Sequence, residues 1–249
     1  MIDCVSVANM RASDHQTIEN GTSSLELIRR AAYCVSVSAT WKEPVAIVCG
    51  SGNNGADGFA LASILRNRQI DCTVFTVSQR LHEDAAYYAE QAKLDGIPVC
   101  SYEAGCLQGY STIVDCMLGT GFQGSPKPVY RQAMEEINGS GAYTVSVDIN
   151  SGMNGDTGNG GVAVVSDLTV TIGFVKVGQV QPHAGTYMKR LVCVDVGIGL
   201  KEREYEICTS EEWQNLTDEE RDSGSYILCP AWLDMEIKRD LSWKGDNDR

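Results

Sequence analysis

Seven short apolar runs, rich in β-branched residues and bounded by turn residues, alternate along this chain with longer segments of helical period. That alternation is the pattern of an α/β domain whose strands lie mostly parallel in a sheet covered on both faces. Strands are expected over residues 45–49, 72–77, 97–100, 112–116, 143–147, 168–172 and 191–196, and helices over 24–37, 57–68, 83–94 and 129–137. In the first helix Leu25, Ile28, Ala32 and Val35 share one face, with Ser23 or Ser24 placed to cap its start. In the second, Phe59, Ala62, Ile64 and Leu65 pack inward, and Arg66 and Arg68 meet the negative end of the helix dipole.

At 249 residues and 43% hydrophobic, the chain can bury a sizeable core. Its formal net charge of -13 opposes broad attraction to phosphate backbones or anionic membranes, so neither nucleic acid nor a membrane is an expected partner. Residues 201–249 hold 14 acidic and 7 basic side chains, with Trp213, Trp232 and Trp243 spaced among them. They read as an acidic appendage of uncertain order on a domain of residues 1–200, with tryptophans suited to docking. The ten cysteines form no C-x-x-C pair, and Cys49, Cys72, Cys116 and Cys193 sit in apolar runs. Reduced core thiols in a soluble cytoplasmic protein are the expectation, not a zinc site. The first residues lack a basic region followed by a long apolar stretch, so no signal peptide is expected.

Three glycine-rich segments follow expected strands. In CGSGNNGADG, residues 49–58, glycines let the backbone turn and approach a ligand, and the following helix start offers unpaired N–H donors. Gly50, Gly52 and Gly55 satisfy G-x-G-x-x-G, yet the acid expected about 20 residues on is missing and Asp71 precedes the next strand. A hydride-transferring dehydrogenase is therefore disfavoured. DCMLGTGFQGSPKP, residues 115–128, places Asp115 near a strand end, followed by Gly119, Gly121 and Gly124. VDINSGMNGDTGN, residues 147–159, carries Asp148 and Ser151. Parallel strands put all three exits at one sheet edge.

GSGNNGADG, the 115–124 loop and VDINSG, in this order, resemble the YjeF N-terminal family of NAD(P)H-hydrate epimerases. The leading MRASDHQTIENGTSSLELIRRAA, and IGFVKVGQ with Lys176 and Gly178, extend the likeness over roughly residues 9–200. The resemblance implies a three-layer αβα, Rossmann-like sandwich with a mostly parallel, doubly wound sheet. It implies interconversion of the R and S epimers of hydrated NADH or NADPH. It further implies substrate contacts from Asn53, Asn54, Gly55, Ala56 and Asp57, from Gly119, Thr120, Gly121, Phe122, Gln123, Gly124 and Ser125, and from Asp148. Potassium ligation by Asn54, Asp115 and Ser151 is implied too, and an amide, a carboxylate and a hydroxyl are hard oxygen donors. Larger relatives fuse a dehydratase domain for which this chain leaves no room, so a separate dehydratase partner is expected.

The chain departs from the family pattern twice. Ala56 replaces a glycine, tolerable if its φ stays negative, and Asn150 replaces a proline, removing a rigid restraint beside Ser151. Chemically, the hydrated carbon bears a hydroxyl next to the ring nitrogen, so losing it leaves a nitrogen-stabilised cation that water re-enters from either face. Asp148 is the expected acid/base group, ahead of Asp57 and then Lys176. The alternatives are a non-catalytic scaffold or ligand-binding module of the same fold, or a hydrolase using Ser151, which the absence of a G-x-S-x-G elbow opposes. Oligomeric state, a homodimer included, and the choice between NADH and NADPH derivatives stay open.

Overall fold

The computed structural model describes residues 1–239. Trp243 and the rest of the acidic segment past 239 lie outside the described residues. In chain order the elements are β1 (Ile2–Val5), α1 (Val7–Glu19), α2 (Ser24–Ser38), β2 (Val45–Cys49), α3 (Asn53–Asn67), β3 (Cys72–Thr76), α4 (Glu83–Leu94) and β4 (Val99–Ser101). There follow β5 (Thr112–Cys116), α5 (Pro128–Gly139), β6 (Tyr143–Val147), β7 (Leu168–Ile172), β8 (Val175–Lys176), β9 (Arg190–Val194), β10 (Tyr205–Cys208), β11 (Tyr226–Leu228) and β12 (Asp234–Lys238).

Among the described residues eight strands form one wholly parallel sheet in the order β12-β9-β7-β6-β5-β2-β3-β4. The chain winds outward from β2 through β3 to β4, then returns to β5 beside β2 and winds the other way. The exits of β2 and β5 therefore flank a topological switch point, where open α/β sheets bind ligands. Every residue of β2 and β5 is buried, and alternate side chains serve opposite faces. Val45, Ile47, Cys49, Val114 and Cys116 pack with α2, α3 and α4, whereas Ala46, Val48 and Ile113 pack with α5. Over β9 the second face is covered by a small sheet ordered β11-β10-β1-β8, which meets Leu191 and Cys193.

The expected strands and helices fall where the periodicity places them, and Ser23 caps α2 through Glu26 N. Two differences bear on function. Helix α3 starts at Asn53, not near Asp57, because tertiary packing overrides the weak helix propensity of Asn and Gly. Residues 7–19, without a hydrophobic period, are nonetheless a helix: the buried positions of α1 are Val7, Met10, Ser13 and Thr17, a largely small and polar stripe. Beyond Leu200, β10 pairs antiparallel with β1, and β12 adds an edge to the main sheet. Trp232 packs over Gly185 in the small-sheet core.

All ten cysteines are free, and burial pushes the thiols of Cys49 and Cys116 well above their ordinary range, so they behave as core hydrophobes. Cys72 is only partly buried. No helix among the described residues is long and apolar enough to cross a membrane.

Candidate active site

The site is built where the exits of β2 and β5 touch backbone to backbone and the exit of β6 joins them through side chains. Gly50 N donates to Cys116 O at 3.0 Å, and a Cβ on Gly50 would lie 1.9 Å from Met117 O. A Cβ on Gly55 would lie 2.2 Å from Gly50 O, so glycine here serves close approach. Ala56 sits buried in the first turn of α3 without a positive φ, and the replacement is accommodated.

Beneath this contact Asp115 is fully buried and surrounded by donors. Its Oδ1 accepts from Ser151 Oγ at 2.5 Å and Met117 N at 3.2 Å, and its Oδ2 from Ser151 N at 2.8 Å and Ser146 Oγ at 3.1 Å. Burial raises its carboxyl pKa, and these hydrogen bonds oppose the rise. Leu118 joins the cluster: its N donates to Ser151 Oγ at 2.8 Å, and its O accepts from Asn54 Nδ2 at 3.0 Å. Asn54 Oδ1 is buried with no hydrogen-bond partner among the described residues. An orphaned amide oxygen beside a buried carboxylate and a hydroxyl fits a hard monovalent cation.

Asn150, expected from sequence to remove a rigid restraint from this loop, instead ties it down. Its Nδ2 lies 2.8 to 3.0 Å from Val164 O, Ser166 Oγ and Tyr187 O, which share its two protons, and its Oδ1 accepts from Thr169 Oγ1 at 2.7 Å. Asn150→Ala strands several buried polar groups and is expected to destabilise by about 2–4 kcal/mol in urea unfolding. A loss below about 0.5 kcal/mol would show the network to be idle.

At the exit of β6, Asp148 adopts φ +66°, a left-handed backbone that Asp and Asn tolerate better than most residues. Its Oδ1 accepts from Lys176 Nζ at 2.5 Å. Lys176 is fully buried, and its other two bonds go to Thr171 Oγ1 and Ile172 O, each at 2.9 Å. All three ammonium protons are thus spent inside the protein, which removes Lys176 as a proton donor to substrate. Its part is to hold Asp148 as an anchored carboxylate. Asp148 Oδ2 lies on the other side, 3.5 Å from where a Cβ on Gly119 would stand.

A cavity of about 670 Å³ opens above these groups, within the usual range of small-molecule sites of roughly 300–1,000 Å³. Of the expected contacts, Asn53, Asn54, Asp57, Gly119, Thr120, Gly121, Phe122, Gln123, Ser125 and Asp148 line it. Gly55 and Ala56 are buried in the helix turn instead, and Gly124 is an exposed turn residue at φ +80°. Asp115 and Ser151 are fully buried and absent from the lining.

Sequence reasoning missed the wall supplied by α1 and α2. Met10, Ile18, Leu27 and Ile28 make it apolar, Asp14 adds a carboxyl and Arg11 a cation, and Lys127, just before α5, lines the same cavity with a second cation. The signal for α1 lay in the leading segment's family likeness, not in its hydrophobic pattern. Burial raises the Asp57 carboxyl well above the ordinary range, the charges of Asp148 and Asp14 adding to it. Burial likewise lifts Asp14 to about 6, against the pull of Lys176.

Fold and site together define a doubly wound α/β domain with an acidic, coenzyme-sized cleft at its switch point. The chain belongs to the family described as YjeF-related protein N-terminus, which it matches over residues 21–178. It is 33% identical over 199 residues to the NAD(P)H-hydrate epimerase of Limosilactobacillus fermentum, covering 77% of this chain and 95% of that one. It is 32% identical over 196 residues to the bifunctional NAD(P)H-hydrate repair enzyme Nnr of Coxiella burnetii, covering 76% of this chain and 40% of that one. The crystal structure of yeast ynu0 shares the fold, with a TM-score of 0.64 at 22% identity over 72% of this chain and 83% of that one.

Proposed function

We propose that this protein is an NAD(P)H-hydrate epimerase that interconverts the R and S forms of hydrated NADH or NADPH. The observation that carries the reading is the Asp148 carboxylate, anchored by buried Lys176, on the wall of a cavity bounded by all three glycine-rich exits. The open start of α3, together with Arg11 and Lys127, gives an acidic chain a local place for the coenzyme's phosphates. The apolar wall of Met10, Leu27 and Ile28 suits a flat ring. A scaffold would have no use for a carboxylate pinned beside such a cavity by a saturated ammonium.

In the reaction the hydroxyl takes a proton from solvent water and leaves as water as the C–O bond at the hydrated carbon breaks, and the ring nitrogen's lone pair stabilises the resulting cation; the proton collected on re-addition is returned to solvent. The Asp148 carboxylate faces this cation and takes the proton released when water adds to the opposite face. Asn54, Asp115 and Ser151 would hold a potassium ion, whose fixed positive charge would balance buried Asp115 and brace the exits of β5 and β6.

The functional test supplies an S-specific dehydratase, the partner this reading calls for, with a mixture of both epimers. Adding this protein should hasten consumption of the slow epimer, and no acceleration would end the reading. For the ion, Asn54→Ala and Ser151→Ala should weaken both the potassium dependence of turnover and the rise in melting temperature on adding potassium chloride. Wild-type turnover and melting that ignore potassium would remove the ion.

A further inference from the structure

We propose that Gln179 is a positioning residue for the proton chemistry: its side-chain amide locks Asp148 in the left-handed backbone that presents its carboxylate to the cavity. This rests on the epimerase reading above, which gives Asp148 its acid/base part.

The backbone at Asp148 is constrained beyond its φ of +66°. Ile149 N donates back to Val147 O at 2.8 Å and closes a three-residue turn with Asp148 at its centre. With a positive φ at the middle residue, this is the rare, strained hand of the γ-turn, which persists only where neighbours enforce it. Two neighbours do so here. Asp148 N donates to Val170 O of β7 at 2.7 Å, and Asp148 O accepts from Gln179 Nε2 at 2.9 Å.

Gln179 lies in the 3₁₀ turn Val177–Val180 and is fully buried. Its Oε1 accepts from Lys176 N at 3.0 Å, so one amide ties the backbone of Asp148 to the backbone of the residue whose Nζ holds the Asp148 carboxylate. Asp148 is thereby gripped at its carbonyl and at its carboxylate by two side chains three residues apart. A turn that needed only filling would take Leu or Met at this position without the desolvation cost of an amide. Relaxing Asp148 to negative φ would carry its carbonyl away from Gln179 and swing the carboxylate relative to the cavity. The charged or titratable groups around Lys176 and Gln179 are Asp148, the thiols of Cys4 on β1 and Cys193 on β9, which burial pushes up to about 12, and, lining the same cavity, Asp14 and Asp57.

The test compares the full chain with Gln179→Met, Gln179→Glu and Gln181→Met in the dehydratase-coupled assay, with the dehydratase in excess at each pH. Gln179→Met keeps the volume and loses both bonds; kcat should fall about 10- to 100-fold with KM little changed, the mark of a misaimed group and not of lost binding. Gln179→Glu is isosteric and carries the test even where the methionine variant does not fold. Its new carboxyl donates to Asp148 O when protonated and repels it when ionised. Its kcat should therefore approach that of wild type near about pH 5.5 and drop about 10-fold or more relative to wild type by about pH 8.5, as the buried carboxyl titrates. Gln181→Met removes a bond of the same turn, from Gln181 Nε2 to Val177 O at 3.2 Å, without touching Asp148, and should keep wild-type kcat. Wild-type kcat in a folded Gln179 variant across the pH range, a loss in Gln179→Glu that ignores pH, or an equal fall in Gln181→Met would overturn the positioning role and leave the epimerase reading intact. An inactive wild type would overturn both.

Discussion

Asp148→Asn is expected to lower epimerisation by about 10²- to 10⁴-fold, the usual worth of a positioned acid/base group. It should also reduce stability, because Lys176 is fully buried and its charge would lose its only carboxylate partner among the described residues. Breaking one side of a buried pair typically costs about 3–5 kcal/mol. Asparagine is the informative replacement, since it tolerates the left-handed backbone at φ +66° and leaves the geometry in place. The coupled assay and urea unfolding read the two effects separately. Near wild-type turnover in a folded, coenzyme-binding Asp148→Asn protein would move the proton chemistry elsewhere.

Gly50→Ala should be the most damaging single methyl in the chain's first glycine-rich exit. The added Cβ would stand 1.9 Å from Met117 O, a backbone atom of the neighbouring exit. It can be relieved only by separating β2 from β5, which breaks the bond from Gly50 N to Cys116 O. A loss of about 4 kcal/mol or more follows, among the largest seen for single substitutions. Gly161→Ala is the matched control: its Cβ would meet nothing within 4 Å, and its φ is not left-handed. It should stay within about 0.5 kcal/mol of wild type in urea unfolding. Equal losses in the two variants would show that backbone contact at the switch point does not hold the site together.

The two departures from the family pattern show how differently sequence and structure weigh a substitution. Ala56 could be judged from sequence, because the question was local: a methyl on a helical backbone with negative φ. Asn150 could not. Its partners Val164, Ser166, Thr169 and Tyr187 lie 14 to 37 residues away, and only folding brings them to its amide. A change that reads as lost rigidity becomes a cross-link.

Strand and helix order, the parallel sheet and the three glycine-rich exits were legible in the chain itself, because they depend on short-range periodicity and on residue types that act alone. Asp115, Asp148 and Ser151 could be placed at one edge because parallel strands deliver all their exits there, whereas the ion-ligand set with Asn54 came from the family resemblance. Helix α1 escaped detection because its inward stripe is small and polar, with no hydrophobic period to read. The saturation of Lys176, the orphaned oxygen of Asn54 and the arrival of Asp14 and Asp57 at one cavity were decided by tertiary packing alone. Burial, charge coupling and unmet hydrogen bonds are properties of neighbours in space, and those neighbours come from segments far apart in the chain.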